Sequence, residues 1–287
     1  MKRLVLHLIA STSLAFGAIA GAPTLRAEAV EMVRSMNDFN DPSGWADGAE
    51  PSPEKDYINN GAHNLRTPGG SYVRFPGRSL TIIGNGQPKG SRYATLMLKL
   101  NSNGSLFVED LRLRNAVVMQ GKAGTPMTVE GGVTLLEGPA SVVRANVGTV
   151  LNIAATVTGP GALRTGGMGE VVLLAANDYA GGTQVESGTL RAQVAHSLGT
   201  GDVVVADDAK LALSSGQALS LGASLLLAPR SSVTLSFSGT LSIARLSFDG
   251  GATFVEPGLW GAPGSGADNV HPRLNGIGRI RVRGTGS

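Results

Sequence analysis

A chain of 287 residues, 42% of them apolar, is long enough to bury a large core. Its 41 glycines are about twice the usual share, and its 16% charged residues fall short of the usual quarter, which excludes a charge-covered helical protein. The net charge of +3 arises without any basic run interleaved with aromatics, so no nucleic-acid partner is expected; the lack of cysteine excludes disulfides, thiolate metal sites and a cysteine nucleophile.

At the N-terminus, Lys2-Arg3 leads into a mostly apolar run from Leu4 to Ala20. Small-residue patterns follow at Ala18-Ile19-Ala20, Leu25-Arg26-Ala27 and Ala27-Glu28-Ala29. This order predicts a Sec-type signal peptide over residues 1–27, cut after Ala27 or Ala29. His7, Ser11, Thr12 and Ser13 interrupt the run, which disfavours a retained anchor. No later stretch reaches the ~18 apolar residues of a membrane helix, so the mature chain is expected to carry no transmembrane segment.

Residues 28–79 read as an irregular N-terminal cap. Asn37 to Gly48 is a loop around one buried Trp45, and Pro51-Ser52-Pro53 extends it. Tyr57-Ile58 and Tyr72-Val73-Arg74-Phe75 are candidate short strands. From residue 80 to 245, short apolar runs alternate with Gly, Asn, Asp and Ser. Expected strands are Leu80–Ile83, Thr95–Leu100, Ser105–Val108, Val117–Met119, Met127–Val129, Val133–Leu135, Ser141–Arg144, Thr149–Ile153 and Ala162–Arg164. They continue with Val171–Leu174, Thr189–Ala192, Val203–Val205, Lys210–Leu213, Ser224–Leu227, Ser232–Phe237 and Thr240–Ala244. Val133, Val150, Val171, Leu190 and Leu211 recur at steps of about 20 residues, which suits one coil of a stacked solenoid. An antiparallel sandwich also has many short strands but does not explain the recurrence.

The clearest repeat is 159–192. Val171 to Leu174 is an apolar strand, Asn177-Asp178-Tyr179-Ala180-Gly181-Gly182-Thr183 a dense turn signal, and Thr183 to Leu190 a second, broken strand. Such a unit has no helical period and buries its apolar side only between copies of itself. Residues 246–287 read as a C-terminal capping segment: a Gly-rich loop from Trp260 to Ala267, then a strand at Arg279-Ile280-Arg281-Val282-Arg283 with a solvated Arg face.

Gly159, Gly161, Leu163, Gly169, Val171, Leu173, Asn177, Tyr179, Gly181, Thr183, Val185, Gly188 and Leu190 fall on one ungapped pattern. On these residues the stretch resembles the autotransporter-associated β-strand repeat. The family's usual Lys after the first Leu is replaced by Arg164, which keeps the charge. Gly44-Trp45-Ala46-Asp47-Gly48, Asp56-Tyr57, Leu65-Arg66-Thr67-Pro68 and Phe75-Pro76-Gly77-Arg78-Ser79-Leu80 are similar to the N-terminal region of some large secreted proteins with this repeat. Gly258-Leu259-Trp260-Gly261 and Gly276-Ile277-Gly278 resemble the segment that follows such repeats. The resemblance implies an all-β, right-handed parallel β-helix, a passenger-type protein of the bacterial cell surface or outer membrane, and no catalytic residue within the repeat.

A parallel β-helix is also the fold of polysaccharide lyases and hydrolases, so carboxylates need weighing. Hydrolysis requires two positioned carboxylates. Asp207-Asp208, between two strands, reads most simply as a turn; Glu109-Asp110, ahead of Leu111-Arg112-Leu113-Arg114, as a solvated strand. Glu130 is the other acidic candidate, and these groups lack the clustering of a calcium site. His63, His196 and His271 are far apart without metal-ligand spacing. No catalytic, cofactor-binding or metal-binding residue is assigned, and no cofactor is expected. Asn177 is expected to form an internal ladder with equivalent Asn on neighbouring coils, with Tyr179 packed beside it.

The expected function is a non-catalytic, secreted or cell-surface structural or adhesive module, with a surface glycan or protein as partner. The alternative is a polysaccharide-active enzyme whose carboxylates converge only in three dimensions. The signal peptide and the resemblance lead to an expected location that is extracellular or at the cell surface; no series of ~10-residue amphipathic strands of an outer-membrane pore is seen, which leaves open the periplasm or export by another system.

Overall fold

The computed structural model describes residues 28–36, 38–61, 63–84, 94–121 and 124–284. The expected signal peptide lies outside them. The chain winds as a parallel β-solenoid of about eight turns. Every pairing in its two large sheets is parallel, which rules out the antiparallel sandwich.

The coil has three sides. One carries Tyr72–Arg74, Val150–Ile153, Glu170–Leu173, Thr189–Ala192, Lys210–Leu213 and Ser232–Leu235. A second carries Asp56–Asn60, Ser79–Ile83 and Thr156–Thr158. A third is a nine-stranded sheet running from Asn64–Arg66 to Arg245–Ser247. The two long strands Ser105–Arg114 and Met127–Leu135 turn the corner between the first two sides, so both sides are counted in one 13-stranded sheet. The register breaks between Val108 and Leu111, where the corner falls. Gly131 sits at that corner on the next coil at φ +95°, where a Cβ would collide with the Val108 carbonyl.

Alternation of side chains drives the stacking. In Ser105–Arg114, Leu106, Val108, Leu111 and Leu113 are buried while Arg114 faces water. Met127, Leu151, Val171, Leu190, Leu211 and Val233 stand in one column at steps of about 20 residues. Two positions of the expected recurrence are displaced from it. Val150 pairs with Glu170, one residue ahead of the column, and Val133 pairs with Val157 on the second side. Both are β-branched residues in strands, and sequence spacing does not reveal which side of a three-sided coil a strand occupies.

On the second side the column Tyr57, Leu80, Leu111, Val133, Val157 is strand throughout. It then passes to Asn177, and the side is continued by single backbone bonds, such as Asp178 N–H to the Val157 carbonyl (3.1 Å) and Asn177 N–H to that of His196 (2.9 Å). The clear repeat thus coincides with a change from three strands per coil to two strands and a turn.

Stacking begins before residue 80: Asp56–Asn60 lies parallel to Ser79–Ile83, and Val30–Glu31 parallel to Tyr57-Ile58. Trp45, 2% exposed, closes this end. Its ring lies 4.8 Å from Tyr57 and 6.3 Å from Phe75, and its indole N–H donates to the Phe39 carbonyl at 2.9 Å. At the other end, Arg279–Val282 runs parallel to Thr240–Ile243 but antiparallel to Gly258–Gly261. An antiparallel strand does not propagate a parallel ladder, so it closes this edge.

Candidate functional site

Three of the acidic candidates, Asp207, Asp208 and Glu109, are held by neighbouring coils. Asp207 and Asp208 form a turn, with Asp208 at φ +64°. The Arg230 backbone N–H donates to Asp207 Oδ1 at 2.9 Å, and its guanidinium reaches Asp208 Oδ2 at 3.0 Å. The Arg230 contact holds the Asp208 carboxyl below its usual range. The pair clamps one coil to the next. Glu109, at the corner of Ser105–Arg114, pairs with Arg74 at 3.0 Å, and that guanidinium lies 4.5 Å over the Phe107 ring. Asp110 pairs with Arg112, and Glu130 stands in register with Phe107. Glu170 binds Arg191 at 2.7 Å on the adjacent coil. Among the described residues, no group of three or more His, Asp or Glu stands ready to hold a metal ion. His196 sits at φ +56°, and His271 stacks on the Phe248 ring.

Asn177 is buried, but its partners differ from the expected Asn ladder. Its Oδ1 accepts from Val157 N–H at 2.8 Å, and its Nδ2 donates to the Ser197 carbonyl at 2.6 Å. The amide stitches three coils together through backbone groups, because Val157 and Ser197 occupy the matching places above and below. Tyr179, fully buried, shares a 2.6 Å hydrogen bond with Thr183, whose hydroxyl donates to the Leu198 carbonyl at 3.1 Å. Burial raises the phenol pKa beyond its usual range. Gly181 completes the motif: a Cβ there would come within 2.5 Å of the Ala162 nitrogen on the coil below. Asn177, Tyr179 and Thr183 are therefore interior staples, while Gly181, itself exposed, permits the close approach of the coil below.

A concave surface not anticipated from the sequence lies near the C-terminal end. Ser247 ends the third side, and Leu274 resumes the first, so residues 248–273 leave the coil. Loops carried on a rigid scaffold are common places for recognition. The Asp249 carboxylate ties the base of this excursion, accepting from Thr253 N–H (2.9 Å), Thr253 Oγ1 (2.6 Å) and Ser247 Oγ (2.7 Å). These bonds, led by that from the Thr253 hydroxyl, hold its pKa far below the usual range. Phe248 stacks on His271, centroids 3.6 Å apart, and lies 5.8 Å from Trp260. The Trp260 indole N–H donates to the Glu256 carbonyl at 3.1 Å. Phe254 is 41% exposed, with the Arg245 guanidinium 4.3 Å over its ring. Phe248, Asp249, Phe254, Glu256, Trp260 and Asn269 border a groove of about 520 Å³. The signal that could have found it is the interval between Val233 and Leu274, about twice the length of an ordinary coil.

Among the described residues no helix is long and apolar enough to cross a membrane. No protein-family model matches the chain, and no solved structure matches it. Over 86 residues, 30% of this chain, it is 35% identical to the protein described as adhesin BmaC autotransporter of Brucella suis biovar 1 (strain 1330). The match spans 2% of that protein's length.

Proposed function

We propose that this chain is a non-catalytic β-solenoid module of an exported, adhesive protein at the cell surface. The observation that carries the reading is the stacked parallel coil on which Glu109, Glu170 and Asp208 are each spent on an arginine of a neighbouring coil: Arg74, Arg191 and Arg230. Such faces offer long, rigid, polar surfaces for shallow contact, and a carboxylate already held by Arg is a poor general base. The partial likeness to an autotransporter adhesin supports the same reading. An extracellular or surface location belongs to this proposal, as does cleavage of a leader near Ala27.

The test uses purified chain from about Glu28 on a panel of acidic and neutral polysaccharides and extracellular-matrix proteins. Binding and release of new chain ends are read in the same wells. Saturable binding without new ends is the expected result. Cleavage of any polymer, or a folded chain that binds nothing on the panel, overturns it.

A further inference from the structure

We propose that the groove of the C-terminal excursion is a binding site for a neutral pyranose unit of a glycan. This rests on the adhesive reading and names its ligand class. The volume of about 520 Å³ lies in the range of small-molecule sites, ~300–1,000 Å³. Such sites combine apolar walls with a few polar groups that fix orientation. Here Phe254 and Trp260 supply ring surface, and Glu256 and Asn269 supply acceptors and a donor.

Each polar group is placed by the fold and left available for a ligand. Asn269 is held on the strand Asn269–Val270, in register with Trp260, and its Nδ2 makes only a long 3.5 Å contact to the Leu259 carbonyl. The Glu256 backbone carbonyl anchors the indole, while its carboxylate has no ion-pair partner among the described residues. Asp249, by contrast, is consumed by Thr253 and Ser247 and serves as the rigid base.

One cation position at this surface is already filled from within the chain. An aromatic face attracts ammonium and guanidinium groups. The Phe254 face that would take one is already covered by Arg245, 4.3 Å from the ring centroid. What remains is apolar ring surface beside a free carboxylate and an amide. A pyranose presents one C–H face for ring contact and hydroxyls that both donate and accept, which matches this set. The surrounding elements are stiff: Trp260 lies on Gly258–Gly261, paired with Arg279–Val282, and Phe248 is clamped against His271. A preformed site loses little freedom on binding.

The chain contains two tryptophans. Trp45 is buried at the far end, so it is a constant background, and Trp260 reports on the groove. The experiment titrates the whole chain with methyl glycosides of glucose, galactose, mannose and N-acetylglucosamine, following tryptophan fluorescence. Phe254→Leu keeps bulk without a ring, and Glu256→Gln removes the charge; circular dichroism checks that both stay folded. The expected result is a saturable change with at least one glycoside, weakened about tenfold or more in each variant. No change with any glycoside, binding by both variants as tight as by the unmodified chain, or a change produced only by a lysine-rich peptide overturns the assignment. If the chain still binds the polysaccharide or matrix panel after such a result, the site is wrong and the adhesive reading stands. Polymer cleavage on that panel sinks the adhesive reading whatever the groove does.

Discussion

Replacing Asn177 by Ala tests the interior staple directly. The side chain satisfies two buried backbone groups, Val157 N–H at 2.8 Å and the Ser197 carbonyl at 2.6 Å, both in residues no more than 2% exposed. A buried polar group left unpaired costs about 1–3 kcal/mol, so Asn177→Ala is expected to cost about 2–6 kcal/mol. That is a large share of the ~5–15 kcal/mol of a typical domain. Because each coil contacts only its neighbours, the loss should fall on the coils around Val157 and Ser197 first. Urea unfolding followed by circular dichroism gives the size, and amide hydrogen exchange gives the place: the Val157 amide should lose its protection. Asn177→Asp adds a sign. The carboxylate still accepts from Val157 but faces the Ser197 carbonyl with no proton, and burial raises its folded pKa. A raised folded pKa means stability present below the unfolded value of about 3.9 and lost as pH rises through the folded one. The Asp variant should therefore be least stable near neutrality and recover in acid relative to Asn177→Ala. A loss below about 0.5 kcal/mol in Asn177→Ala, with the Val157 amide still protected, would refute the reasoning.

Gly181→Ala drives a Cβ to within 2.5 Å of the Ala162 nitrogen, a backbone atom with no rotamer to yield, and should cost about 1–3 kcal/mol in urea unfolding. His271 has its pKa lowered by burial and by Arg273. The folded state therefore resists its protonation, so stability of the C-terminal end should fall as pH drops below about 6.5, and His271→Phe, which keeps the stack on Phe248, should flatten that slope in melting curves. Asp208→Asn should leave the unfolding midpoint nearly unchanged, since Arg230 and Asp208 are 65% and 72% exposed and water screens the pair; a marked drop would mean that the turn at φ +64° needs the carboxylate.

The sequence by itself determined the fold class and most strands. Period-two alternation in stretches such as Ser232–Leu235 and glycine-rich punctuation both act locally, over a few residues, and so are legible without coordinates. It marked Trp45 as buried and Asp207-Asp208 as a turn for the same reason. It gave the motif at Asn177 but the wrong partners, because the groups that complete an interior amide lie on coils about 20 residues away and are backbone, which has no sequence signature. Val133 was placed in the wrong column, since a one-dimensional recurrence does not record which side of the coil a strand faces. The groove was not legible at all. Phe248, Phe254, Trp260 and Asn269 come from separate turns and strands of the excursion, and only the closing antiparallel strand and the stack on His271 bring them to one surface. Local patterning chose the coil; contacts between residues distant along the chain chose what its end can hold.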